Sequence, residues 1–75
     1  MPKLPRISSR EAIRAFEKLG FETVRQTGSH VVMKKTTSSG TVGCVIPLHR
    51  ELKIGTLSGI LKQANVTVDE FIEKL

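Results

Sequence analysis

The sequence predicts an α+β domain of order α-β-β-β-α, a three-stranded antiparallel sheet with both helices on one face and a short further helix at the C-terminus. Two capping boxes, Ser8-x-x-Glu11 and Thr67-x-x-Glu70, mark helix starts near the two ends of the chain. Between residues 21 and 47 the pattern changes to that of strands, broken by the small-polar segments Thr27-Gly28-Ser29 and Thr36-Thr37-Ser38-Ser39-Gly40. Helical spacing returns with Leu57, Ile60, Leu61 and Ala64.

Pro2 and Pro5 keep the first residues extended, and Ser8 is the N-cap of the first helix. Ala12, Ile13, Phe16 and Leu19 form its inward face, and Gly20 ends it as the residue free to turn left-handed. Arg10, Arg14 and Lys18 recur every four residues on the other side. Two readings of that stripe stay open, a solvated face with Glu11 and Glu17 pairing Arg14 at three-residue spacing or a contact surface for phosphate.

Phe21 to Gln26 is the first strand, and Phe21 and Val24 differ in parity, which allows a bulge or a register offset. His30 to Lys35 is the second strand, and the connection is short enough to make the pair antiparallel. Thr41 to Pro47 is the third, ended by its proline. A polar connection from Leu48 to Lys53 leads to a second helix opened by Gly55-Thr56 and closed by a left-handed Asn65. Gly59 within it costs up to about 1 kcal/mol against alanine, so a close approach to a neighbouring element is expected there. Phe71, Ile72 and Leu75 are the apolar contacts of the last helix.

A chain of 75 residues with no Trp or Tyr and three Phe makes one domain, residues 1–75, with a modest two-layer core. An enclosed small-molecule pocket is therefore not expected, and neither is a cofactor. Twelve Lys and Arg against seven Asp and Glu give a net charge of +5, a field that attracts polyanions, nucleic acid foremost, unless it serves solubility alone. The lone Cys44 stands among Val42, Val45 and Ile46 and reads as a core residue with no activating neighbour. It cannot form an internal disulfide, which favours a reducing compartment and a cytoplasmic protein. No apolar run is long enough to span a bilayer, and no cluster of His, Asp or Glu has metal-ligand spacing.

The candidate site is the stretch Arg25 to Lys34. It sets His30 directly after a Gly-Ser turn, at the exposed end of a strand that runs toward two lysines. RNA cleavage needs a base for the 2′-hydroxyl proton, an acid for the leaving oxygen and positive charge for the phosphorane. Imidazole as a chemical type suits both proton transfers, since its ordinary pKa of about 6.5 keeps both forms available near neutrality. Strand alternation puts Lys34, not Lys35, on the side of His30. If the second hairpin turns about residues 37 to 40, a residue near 30 faces one near 47, and His49 emerges within roughly two residues of His30. His49 is then either a second acid or base, or a solvent-exposed loop histidine.

Gly28-Ser29-His30 after Gly20-Phe21, then Val45-Ile46-Pro47-Leu48-His49, Lys53-Ile54-Gly55-Thr56-Leu57 and Ile60-Leu61-Lys62-Gln63-Ala64, resembles the HicA family of small toxins over nearly the whole chain. The resemblance implies the fold of the double-stranded RNA-binding domain and an mRNA-cleaving, metal-independent ribonuclease of a toxin-antitoxin system. It implies that His30 is the catalytic residue and that a HicB-type antitoxin binds the protein and blocks that histidine. Gly28 and Ser29 match the residues before it and either supply backbone N–H groups to a phosphate or serve only the turn. Ser58-Gly59 departs from the family pattern, in which many members carry a basic residue. Lys62 is then the clearest phosphate candidate of the second helix, beside Arg25 and Lys34 from the sheet. The alternatives are a noncatalytic module that binds double-stranded RNA by shape and a degenerate toxin that only binds its antitoxin.

Overall fold

The computed structural model describes residues 3–75, so Pro2 lies outside the described residues. Its elements run α1 (Ser9–Lys18), β1 (Glu22–Thr27), β2 (His30–Thr37), β3 (Gly40–Pro47), α2 (Ile54–Ala64) and α3 (Val68–Glu73). The sheet is antiparallel in the order β1-β2-β3, and the α+β class and element order are those expected from the sequence.

Both capping boxes form. The Ser8 hydroxyl accepts from the Glu11 N–H at 3.2 Å while Glu11 Oε1 accepts from the Ser8 N–H at 3.2 Å, and Thr67 and Glu70 repeat the arrangement at α3. Gly20 follows the C-cap of α1 at φ +99°, and Asn65 closes α2 at φ 56°, the left-handed conformations that let the chain leave each helix. The buried face of α1 is Ser9, Ala12, Ala15 and Phe16, with Ile13 and Leu19 only half-buried at its margin. Phe16 stands at the centre of the core. Its ring meets Phe21 edge-on at 5.2 Å and Phe71 of α3 at 5.3 Å, so one aromatic of α1 ties the sheet entrance to the last helix.

The register slips between Thr23 and Arg25, which places the bulge at Val24. Phe21 is buried just before β1 and Val24 is 53% exposed, so the extra residue absorbs the parity mismatch between them. On β2, Val31 and Met33 are buried and face the helices together with Cys44 and Ile46 of β3. His30, Lys34 and Thr36 are exposed and Val32 is half-buried, which makes the opposite face of the sheet open. All of β1 is exposed, because the helices do not cover that edge. The β3 edge is covered: Gln63 of α2 accepts the Val45 N–H at 3.3 Å.

Two expectations are corrected. The connection from Leu48 to Lys53 is not wholly polar, since Leu52 is fully buried and its N–H donates to the Ile7 carbonyl at 2.7 Å, drawing the loop onto the N-terminal segment. Beyond its own helix backbone and chain neighbours, no heavy atom of the described residues lies within 4 Å of where a Cβ of Gly59 would stand, so no close approach of a neighbouring element accounts for it. The crowded glycine is Gly43, whose Cβ would meet the Met33 carbonyl at 2.9 Å and the Lys34 stem at 3.1 Å.

Candidate functional site

His30 opens β2, the central strand, and pairs with Thr27 on one side and Pro47 on the other. The two-residue connection Gly28-Ser29 closes the first hairpin, so the imidazole rises from the sheet end at the lip of a tight turn. Its Nδ1 lies 3.0 Å from the Ser29 hydroxyl. In one tautomer the hydroxyl donates to Nδ1 and Nε2 carries the proton, and in the other Nδ1–H donates to the hydroxyl and Nε2 is a free base. Either way the ring is held through the nitrogen nearer the backbone, and among the described residues Nε2 has no hydrogen-bond partner.

Residues directly opposite in an antiparallel ladder share a face, so the register decides which cations accompany His30. Arg25 pairs with Val32 and Val32 with Val45, a row two residues along from the Thr27, His30 and Pro47 row. Lys34 pairs with Gly43 one further row down, on the same face as His30 and about 13 Å along the strand. Gly43 makes room for that lysine's stem. Lys35 points to the other face, where its ammonium stands 5.9 Å from the Phe21 ring centre. The structure thus brings His30, Arg25 and Lys34 onto one open face around an apolar strip of Val32 and Val45.

Lys62 stands apart from them. It occupies the last turn of α2, in the layer behind the sheet, where its charge complements the helix C-terminus. His49 emerges two residues beyond Pro47, the partner of His30, as the hairpin register predicts. Its cleft is lined with Ser8, Ser9, Arg10, Leu48 and Arg50, and His30 is not part of that lining. Gly28 has no positive φ and nothing within 4 Å of a built Cβ, so neither turn geometry nor packing among the described residues calls for glycine there.

A second shallow cleft separates α1 from the sheet, lined with Arg10, Ile13, Arg14, Glu17, Gln26, Val31 and Leu48. Arg14 and Glu17 form no ion pair in it. The ion pair among the described residues joins Arg6 and Glu51 at 3.8 Å and is well exposed, hence of little energetic weight. Burial pushes the Cys44 thiol up to about 11, which leaves it protonated and unreactive at neutral pH. Among the described residues no three His, Cys, Asp or Glu side chains gather as a metal site.

Sequence reasoning missed Ser9. It is buried, 3% exposed, and its hydroxyl bonds the chain at Pro47 and His49. As the residue after an N-cap serine it carried no pattern of its own, and only the packed loop reveals its partners.

Comparison with curated proteins gives no significant match. The family model of HicA toxins of bacterial toxin-antitoxin systems matches residues 9–66, from the first residue of α1 to just past α2. That span holds the whole sheet, the Gly28-Ser29-His30 turn and the Pro47-His49 segment. With more than half its length covered by that match, the chain belongs to the HicA toxin family.

Proposed function

We propose that this toxin is a metal-independent ribonuclease that cleaves mRNA in the cytoplasm, with His30 as its catalytic acid or base. The observation that carries the reading is the exposed imidazole of His30, held at Nδ1 by Ser29 with Nε2 unpartnered, on a face that also bears Arg25 and Lys34. In the base form, Nε2 takes the proton of a ribose 2′-hydroxyl. The 2′-oxygen attacks the adjacent phosphorus and the 5′-oxygen leaves with a proton from an acid, leaving a 2′,3′-cyclic phosphate. Arg25 and Lys34 hold the flanking phosphates and favour the charge that builds on the phosphorane. His49 is the candidate second proton carrier, Gly28 leaves room for the RNA backbone beside the imidazole, and Lys62 is a more remote phosphate contact.

The natural partner under this reading is a HicB-type antitoxin that covers the open face. A segment carrying apolar and acidic side chains would suit the exposed Val45 and half-buried Val32 together with the cations around them. The same surface cannot then reach RNA. No helix among the described residues is long and apolar enough to cross a membrane.

The test is cleavage of an end-labelled single-stranded RNA by purified protein in EDTA, with wild type and His30→Ala matched for folding by circular dichroism. Cleavage by wild type and none by the variant is the expected result. Equal binding of RNA by both proteins with no cleavage by either would replace the enzyme with a binding module.

A further inference from the structure

Ser9 is buried polar surface inside a small apolar core, and a buried hydroxyl persists where it makes hydrogen bonds that the fold uses. Its partners lie some 40 residues away in sequence. The Ser9 N–H, one of the donors that a helix N-terminus leaves without an intrahelical acceptor, donates to the His49 carbonyl at 3.1 Å. The His49 N–H donates back to the Ser9 hydroxyl at 2.7 Å. That hydroxyl has one proton to give. The His49 carbonyl, 3.0 Å away, is already served by the Ser9 N–H, so the closer Pro47 carbonyl is its better acceptor. Ser9 therefore grips the backbone on both sides of Leu48.

Leu48 in turn reaches the catalytic hairpin. Its N–H donates to the Ser29 carbonyl at 2.9 Å, and the Ser29 hydroxyl is the group that holds Nδ1 of His30. Three hydrogen bonds, joined through the Pro47-Leu48 peptide and through Ser29 itself, thus connect the buried start of α1 to the imidazole by way of the end of β3. Residues 27–30 of that turn are all exposed, and its other ties are the ladder pairings of His30 with Thr27 and Pro47.

We propose that Ser9 is a positioning residue of the ribonuclease site, fixing the Pro47-Leu48-His49 segment against α1 so that Leu48 holds the Ser29-His30 turn. The proposal rests on the catalytic reading of His30. It requires that loss of the hydroxyl loosen the turn while the phosphate-binding cations of the open face stay where they are. Arg25 is set by its pairing with Val32 and Lys34 by its pairings with Glu22 and Gly43, none of which Ser9 touches, whereas Ser9 bonds Pro47, the partner of His30. The loss should fall on kcat and spare KM.

Ser9→Ala, Ser9→Thr, His30→Ala and wild type are to be compared in RNA cleavage under single-turnover and steady-state conditions, well below each melting temperature. Backbone amide exchange is followed by NMR in the same proteins. The expected result for Ser9→Ala is a fall of about tenfold in kcat, as loss of one buried hydrogen bond implies, with KM within about twofold of wild type. Exchange should quicken at Leu48 and His49 and stay slow at Met33 and Ile46. Ser9→Thr, which keeps the hydroxyl, should recover most of kcat. Full cleavage by Ser9→Ala beside an inactive His30→Ala overturns the Ser9 proposal alone, whereas full cleavage by His30→Ala overturns the catalytic reading beneath it. Faster exchange throughout the core in Ser9→Ala, with kcat following the folded fraction, makes Ser9 a stability residue and also overturns the proposal.

Discussion

At the residue scale, two side chains of opposite surroundings show how burial sets chemistry. His30 is exposed and hydrogen-bonded only through Nδ1 among the described residues, so its Nε2 is left to an outside partner. Cys44 is buried on the inward face of β3, and burial raises its thiol to about 11 from an ordinary 9.0. A thiol whose folded pKa lies above its unfolded value favours the folded state below the unfolded pKa. That advantage is lost as pH rises from about 9 toward 11. Native protein at pH 8 should therefore resist alkylation by iodoacetamide and become labelled only on unfolding, as mass spectrometry would show; rapid labelling of the folded protein would contradict the burial. Gly28 gives a second residue-scale prediction. Its Cβ would meet nothing in the fold, so Gly28→Ala should melt within a few degrees of wild type while RNA cleavage falls. Unchanged cleavage would mean that the RNA backbone does not approach Gly28.

At the element scale, the caps and the bulge are local devices with separable effects. The N-cap hydroxyl of Ser8 holds the first turn of α1, and Ser8→Ala should cost about 1 kcal/mol in urea unfolding. Glu70 at α3 is held below the usual carboxylate range by hydrogen bonds from Thr67, the backbone N–H first and the hydroxyl second. A depressed carboxylate stabilises above its unfolded pKa and loses that contribution as pH falls through its folded pKa. The protection factor of the Thr67 amide, taken against intrinsic exchange at each pH, should accordingly fall on acidification below the ordinary glutamate range while the sheet amides stay protected. The bulge at Val24 was visible in sequence as a clash of parity, but its position was not. Strand periodicity says that one residue is surplus, and only pairing with β2 says which.

For the molecule as a whole, a 75-residue chain has little stability to spare, and Phe16 joins α1, the sheet entrance and α3. Phe16→Ala should cost about 3–5 kcal/mol, a large part of the total for so small a domain, and a midpoint shift much below that would displace Phe16 from the centre of the core. The net charge of +5 should make RNA binding fall steeply with salt. Removing Arg25 or Lys34 should lower the slope of log K against log salt by about 0.7 each, as for one phosphate contact to a single strand. A slope that stays at the wild-type value in Lys34→Ala would take that lysine out of the interface.

Element order, both capping boxes, the left-handed exit at Asn65 and the alternation that sets Lys34 on the face of His30 and Lys35 on the other were determined by the sequence alone. Each depends on residues within a few positions of one another, so local chemistry suffices. The tertiary structure decided what depends on contacts across the chain. It buried Leu52 in a connection that reads as polar, set Lys62 behind the sheet, found the crowded glycine at 43 rather than 59, and joined Ser9 to Pro47 and His49. A buried serine and an exposed one are the same letter; what separates them is the backbone that packing brings to the hydroxyl.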